Sequence, residues 1–365
     1  MVYSVNKPAQ DVLEKMARMH RIKDLNLKYS NGWHETADRK RGLFDVSWQH
    51  PSTWKDVILK GPHLGISTPL NKQPNPTMKN NSDWTEVDLE AIPTDFIPAT
   101  EYFPNRDSSY RTDYGSWTVN GKDMFAIDEY RLAWRCMAAT TGYRTLYPAI
   151  IPPGSAHIHG VGSAGLPGDL STLAYIGGHL SSFLTDFMVR SAGLSHIHGA
   201  NIDSLPVGFL GVSQIARLYL RLNCLTNAYA PLWKEVMGEA WTSETPIRLA
   251  RERWHAQNEI DAIVALSFGI TLDELLMVYN TQFPVMRRYD REDLYDANGR
   301  KVPSDIVKLQ RTLGEEEELT EEQRTWVHPQ SQREYTFQYP FAPLDREADL
   351  RDFYEKYSRG VDSLE

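Results

Sequence analysis

The stretch Glu129–Gly160, EYRLAWRCMAATTGYRTLYPAIIPPGSAHIHG, decides how the rest of the chain is read. Within Glu129–Thr141, Leu132, Ala133 and Met137 recur at helical spacing, which predicts a helix. Arg131 and Arg135 are four apart, so such a helix carries both on one face. Gly142 supplies its stop. Arg144–Gly154 then reads as a buried strand halted by Pro152 and Pro153. The stretch ends on HIHG, His157–Gly160, and the same tetrapeptide returns at His196–Gly199. Two His-x-His pairs raise the question of a metal, because a catalytic zinc site takes three protein ligands and an open position. In a strand His157 and His159 point to the same side, and only Asp169 and Asp203 are close carboxylates in sequence. The glycine closing each pair predicts turns instead, from which imidazoles donate hydrogen bonds to phosphates or bases.

Working outward, Ala9–Ile22 reads as a short helix. It leads into a polar loop with the turn Asn31-Gly32 and the basic triplet Arg39, Lys40 and Arg41, a solvated loop or a phosphate contact. Residues 51–106, rich in proline, asparagine and threonine, predict short strands and long loops, with Lys72 and Lys79 on one of them. Residues 107–124 read as a further connection anchored by Tyr110, Tyr114 and Trp117. Downstream, Asp169–Arg190 is a strongly apolar helix, and SLPVGFL is extended. Val212–Val236 is a helix with Ile215, Leu218, Leu222 and Leu225 on one stripe. Thr245-Pro246 opens another that runs to about Phe268. Thr271–Glu274 is a capping box, and Thr320 with Gln323 resembles a second. The run GEEEELTEEQR is a solvated face or loop.

The net charge of −9 is a local property. Residues 290–365 hold 19 Asp/Glu against 11 Lys/Arg, a net −8, which leaves about −1 for the preceding 289 residues. A basic face there is therefore allowed, and nucleic acid is not excluded as a partner. No apolar run reaches 18 residues, so no membrane span is expected. The N-terminus lacks the apolar core of a secretory signal, and two cysteines, Cys136 and Cys224, fit a reducing cytoplasm. Phosphate-loop, nucleophile-elbow, Cys-x-x-Cys and His-Glu-x-x-His motifs do not occur, nor does a dinucleotide fingerprint. The (Asp/Asn/Ser)-Pro-Pro-aromatic tetrad with which amino-methyltransferases grip a base is also missing; Asn75-Pro76-Thr77-Met78 and Ile151-Pro152-Pro153-Gly154 do not match it.

Tyr130, Arg131, Trp134, Arg135, Arg144, Thr145, Pro152, Pro153 and Gly154 fall in an order that resembles a passage of the C-terminal halves of large single-chain adenine DNA methyltransferases. These include the type IIG restriction–modification enzymes and the methyltransferases of the BREX and DISARM phage-defence systems. Leu173–Val207 is similar to their hydrophobic helix followed by a His/Asn-bearing turn and a Leu-Pro-(Val/Ile) strand. Arg248–Arg288 resembles their later helices, and Val57–Pro104 resembles the stretch just beyond their catalytic domain. The resemblance spans roughly Lys55–Arg288. The family's cofactor and base-gripping motifs precede this region and are absent here. It therefore implies the target-recognition part, in a separate specificity subunit, which Met1 favours, or in a longer protein.

The expectation is a mixed α+β fold in four parts: an N-terminal helix and basic loop (1–50), a target-recognition α/β domain (51–210), a helical region (211–289) and an acidic tail (290–365). The expected partners are double-stranded DNA and a methyltransferase catalytic subunit or domain, which would bind S-adenosylmethionine; no cofactor is expected in this chain. The candidate DNA contacts are Arg131, Arg135, Arg144 and Thr145, His157, His159, His196 and His198, Asn201, Lys72 and Lys79, and Arg39, Lys40 and Arg41. The competing readings are a metal-dependent hydrolase built on the four HIHG histidines and a scaffold that binds proteins but no DNA.

Overall fold

The computed structural model describes residues 6–106, 109–139, 141–314 and 317–360. Thr140 of the expected helix, Glu315 and Glu316 of the acidic run, and residues 1–5, 107–108 and 361–365 lie outside the described residues. The fold is mixed α+β.

The segment expected as a helix is instead the strand Arg131–Arg135, in the middle of the largest sheet. It pairs antiparallel with Pro148–Ile151 on one side and Val161–Gly165 on the other, and Lys28–Ser30 completes the sheet beyond the latter. A period of two explains the difference. Leu132 and Trp134 face the main core of helices, whereas Ala133 faces a smaller cluster with Val57, Leu59 and Leu64. Both faces are buried, so the alternation is masked and a helical pattern fits as well. Arg131 and Arg135 do share a face, but it is a sheet face turned inward. The expected strand after Arg144 is present as Pro148–Ile151.

The expected helix Asp169–Arg190 is two helices, Leu170–Ser181 and Phe183–Ser191, broken where Ser182 turns extended. The second helix is capped twice. Leu184 N donates to Ser182 Oγ, and Phe183 N donates to Asp261 Oδ1 at 2.9 Å. Helix Leu170–Ser181 packs against the sheet and against helix Val212–Asn223. Gly177 and Gly178 permit the second contact, since a Cβ on either would lie about 2.5 Å from Tyr219 or Ile215. Val212–Asn223 ends early because Asn223 clamps the sheet edge, accepting from Ile150 N and donating to Ile150 O. A separate helix, Ala230–Met237, follows. The next helix starts at Ala250, not at Thr245, and runs to Ser267. The capping box at Thr271–Glu274 forms, with both reciprocal hydrogen bonds. Thr320 and Gln323 bond reciprocally too, but only a turn follows.

The acidic C-terminal region is folded over its described length. Strands Thr325–Val327 and Glu334–Thr336 form a hairpin over a small core of Val302, Ile306, Leu319 and Phe337. Helix Arg346–Ser358 then returns to the main core through Leu350 and Tyr357. Among the described residues no helix is long and apolar enough to cross a membrane.

Candidate functional site

The two HIHG copies meet at the end of the central strand. Cys136, just past that strand, donates from its amide to Gly160 O of the first copy and accepts from Ile197 N of the second. Met137 forms a bridge with His196, and Ala138 N donates to Ser195 O. A third segment joins from the N-terminal loop. Trp33 N donates to His157 O, and His159 N donates to Trp33 O. These backbone bonds set four imidazoles in a row across the surface. His34 and His159 have ring centroids 6.3 Å apart, His159 and His196 6.2 Å, and His196 and His198 4.2 Å. His34, His159 and His198 are exposed, and His196 is half-buried between its neighbours.

His157 is not part of the row. Its ring is fully buried beside Tyr114, with Nε2 2.7 Å from Ser163 Oγ. The strand holding it ends at His157, so the expectation that His157 and His159 point to the same side does not hold. Burial first, and then the Arg131 guanidinium, push the His157 imidazole down to about 3, so it stays neutral in the core. The four-histidine cage of the hydrolase reading is therefore not assembled. Among the described residues no three His, Cys, Asp or Glu side chains are grouped to hold a metal ion. His196 is held below the usual imidazole range by burial, then by His198 and His159, and its Nε2 is sheltered without a hydrogen-bond partner.

The expected arginine patch does not form. Arg131 is fully buried, donating to Tyr114 Oη at 2.7 Å and to Ser155 O. Arg144 is 2% exposed; its Nε donates to Asp186 at 2.9 Å and its Nη2 to Ser181 O at 2.6 Å. Thr145 is buried next to it, its amide donating to the same carboxylate at 3.0 Å. Arg135 lies over the Tyr147 ring at 4.1 Å and donates to Leu64 O from Nε at 2.8 Å. The physical reason for the two strand arginines is that, in a sheet covered on both faces, carbonyls and phenols satisfy them and leave no route to a groove, while Arg144, in the loop before Pro148, is held inward by Asp186.

Other expected residues lie at the surface. Arg39 and Lys40 are exposed on the short helix Ala37–Lys40, which starts three residues after His34. His34 orders that helix, its Nδ1 accepting from Ala37 N at 3.1 Å. Arg41 is exposed but pairs with Asp38 and Asp113. Asn201 caps the short helix Gly199–Asp203, its Oδ1 accepting from His198 N at 2.7 Å. Lys72 and Lys79 belong to a different hairpin region, where Lys72 is 3.7 Å from Glu86 and Lys79 is exposed. His34 and Met137, which is 70% exposed, were not among the expected contacts. No periodicity marks His34, because only the long-range bridge to the first HIHG brings it there.

No protein-family model matches this chain, and no curated protein matches it.

Proposed function

We propose that this chain is the target-recognition part of an adenine-N6 DNA methyltransferase or restriction and phage-defence system, reading double-stranded DNA for a separate catalytic domain that binds S-adenosylmethionine. The observation that carries the reading is the surface row of His34, His159, His196 and His198, with exposed Arg39 and Lys40 on the helix that starts three residues after His34. Three sequence-distant loops are bonded together there, which makes the row rigid. Imidazole N–H groups donate to phosphates or base edges, and Arg and Lys set register through the backbone charge. The acidic surplus lies mainly beyond residue 289, so it does not oppose a polyanion at this end of the sequence.

The test is fluorescence anisotropy with mixed-sequence duplexes at several salt concentrations. The combined R39A and K40A variant is expected to lower the slope of log affinity against log salt by about two, one per lost phosphate contact. H159A and H198A are expected to lower affinity for the preferred sequence with less change in slope. Absence of duplex binding at low salt overturns the proposal, and so does binding that all four changes leave intact.

A further inference from the structure

A second site lies away from the histidines in sequence. A cavity of about 490 Å³ opens between the segment Val87–Glu90, the first turns of helix Ala250–Ser267 and the C-terminal hairpin. It is within the size range of small-molecule pockets. Six cations line it, and four have carboxylate partners. Arg144 pairs with Asp186, Arg300 with Glu90, Lys301 with Asp293 and Arg346 with Asp290.

Arg248 and Arg253 have no carboxylate within ion-pair distance among the described residues. Arg248 donates to Leu89 O at 3.0 Å and Leu225 O at 2.8 Å. Arg253 uses only Nη1, which donates to Leu222 O at 2.9 Å and Ile247 O at 2.7 Å. The Nε and Nη2 of Arg253 have no protein acceptor and are not among the occluded unpartnered atoms. They remain free to bond something in the cavity. The same two arginines flank the start of an 18-residue helix whose N-cap, Leu249, offers no side-chain acceptor. The amino end of that helix adds its own partial positive charge. Carbonyl oxygens neutralise no charge, so neither guanidinium has an ion-pair carboxylate of its own; Glu252, the one acidic residue of the helix's first turn, is exposed and does not line the cavity. Burial holds both arginines below the usual guanidinium range, and Arg248 further lowers Arg253, whereas Glu244 acts on Arg248 only from beyond ion-pair reach.

Aromatic walls complete the cavity: Tyr143, Trp254, Tyr295 and Trp326. One side of Trp254 is already occupied by Arg346 at 4.9 Å. We propose that this cavity binds a small phosphorylated ligand with a planar ring, of the nucleotide class, its phosphate at Arg248 and Arg253 and its ring among these aromatic side chains. Paired guanidinia match phosphate oxygens in number and geometry, and ring stacking orients the other end.

Isothermal titration calorimetry on the full chain with AMP, adenosine and inorganic phosphate tests it, with melting temperatures measured in parallel. AMP is expected to bind saturably, and adenosine and inorganic phosphate each about tenfold or more weaker, because each lacks one half of the contacts. R248Q and R253Q are each expected to weaken AMP by about tenfold or more, and R253K to retain more of the affinity than R253Q. No saturable AMP binding at about 1 mM overturns the proposal. It is also overturned if R248Q and R253Q, folded like the parent, bind AMP unchanged. Phosphate binding as tightly as AMP would overturn the nucleotide assignment. R248Q keeps the test decisive should R253Q fail to fold.

Discussion

Asp186 is the carboxylate on which the interior of the sheet's helical face depends, and D186N is the substitution that exposes this. It lies fully buried on helix Phe183–Ser191 and accepts from Arg144 Nε at 2.9 Å, Thr145 N at 3.0 Å and Leu146 N at 2.9 Å. Arg190, one turn along, is 3.5 Å away and also buried. One negative charge thus answers two buried guanidinia. Asparagine keeps the shape and one acceptor oxygen but removes the charge, and it turns an N–H₂ toward a donor. Removing one partner of a buried pair costs about 3–5 kcal/mol, because the other charge stays uncompensated. The carbonyls of Ser181 and Gly142 still accept from Arg144 and Arg190, which favours the lower part of that range. At about 2 °C per kcal/mol for a chain of this size, D186N is expected to melt roughly 6–8 °C below the parent. Thermal unfolding followed by circular dichroism measures it. The R144M and D186L double variant is expected to lose less than the two single variants summed, since Arg144 and Asp186 no longer orphan each other, although Arg190 still loses its carboxylate. A D186N protein melting within about 1 °C of the parent would refute the reasoning. So would a folded R144M protein that has lost duplex binding, because Arg144 would then be a DNA contact and not an internal brace.

Acid should destabilise the fold before carboxylates of ordinary pKa titrate. Burial lowers His63 to about 4 and His157 and His179 to about 3, so their stabilising neutrality is complete above the ordinary histidine range and is lost as pH falls toward those values. Each costs about 2 kcal/mol between pH 7 and pH 5, while Asp261, raised to about 6 by burial, returns about 1 kcal/mol over the same interval. The urea midpoint is therefore expected to fall between pH 7 and pH 5, and a flat profile would contradict the buried-histidine account. D261N should stabilise the protein at pH 7.5, and its advantage should vanish below about pH 4, read from the same denaturation curves. Gly32 and Gly42 both have positive φ, of 67° and 80°, but a Cβ on Gly32 would lie 2.3 Å from His157 whereas Gly42 has open space. G42A should cost about 1–2 kcal/mol for the left-handed backbone alone, and G32A distinctly more. Incubated with labelled S-adenosylmethionine and duplex DNA, the chain alone is expected to incorporate no methyl group; incorporation into adenine would overturn the assignment of chemistry to another domain.

How legible the fold was in the sequence depended on whether a segment has one buried face or two. Helix Val212–Asn223 has one, and its apolar stripe of Ile215, Leu218 and Leu222 was readable. The capping box at Thr271 was readable because its chemistry is local. The strand Arg131–Arg135 has two buried faces, and Leu132, Ala133 and Trp134 then look the same at period two and period 3.6. Its arginines deepened the error, since a charged residue is expected to mark an exposed face. The break at Ser182 was hidden for a related reason. The turn is held by Asp261, which accepts from Phe183 N 78 positions away, and local propensity carries no trace of that contact.

The same distinction governs the site. Repetition of HIHG drew attention to two loops that the fold brings together, with His159 and His198 exposed and His196 half-buried. What repetition could not convey is that the copies are not equivalent. The first enters the core with His157 and leaves it with His159, whereas the second presents both of its histidines in the row. The missing place is taken by His34, brought in by the bridge between Trp33 and Ile158. A row assembled from three distant loops resists local change: losing one imidazole leaves the backbone bonds of Cys136 and Trp33 untouched. Alanine substitutions at His159 or His198 therefore test ligand binding without first testing folding, whereas H34A also removes the acceptor for Ala37 N. The arginines allow no such separation, because Arg131 and Arg144 hold the sheet to its surroundings. If this surface reads a ligand, its specificity is free to vary through the histidine loops while the arginine-braced sheet beneath them stays fixed.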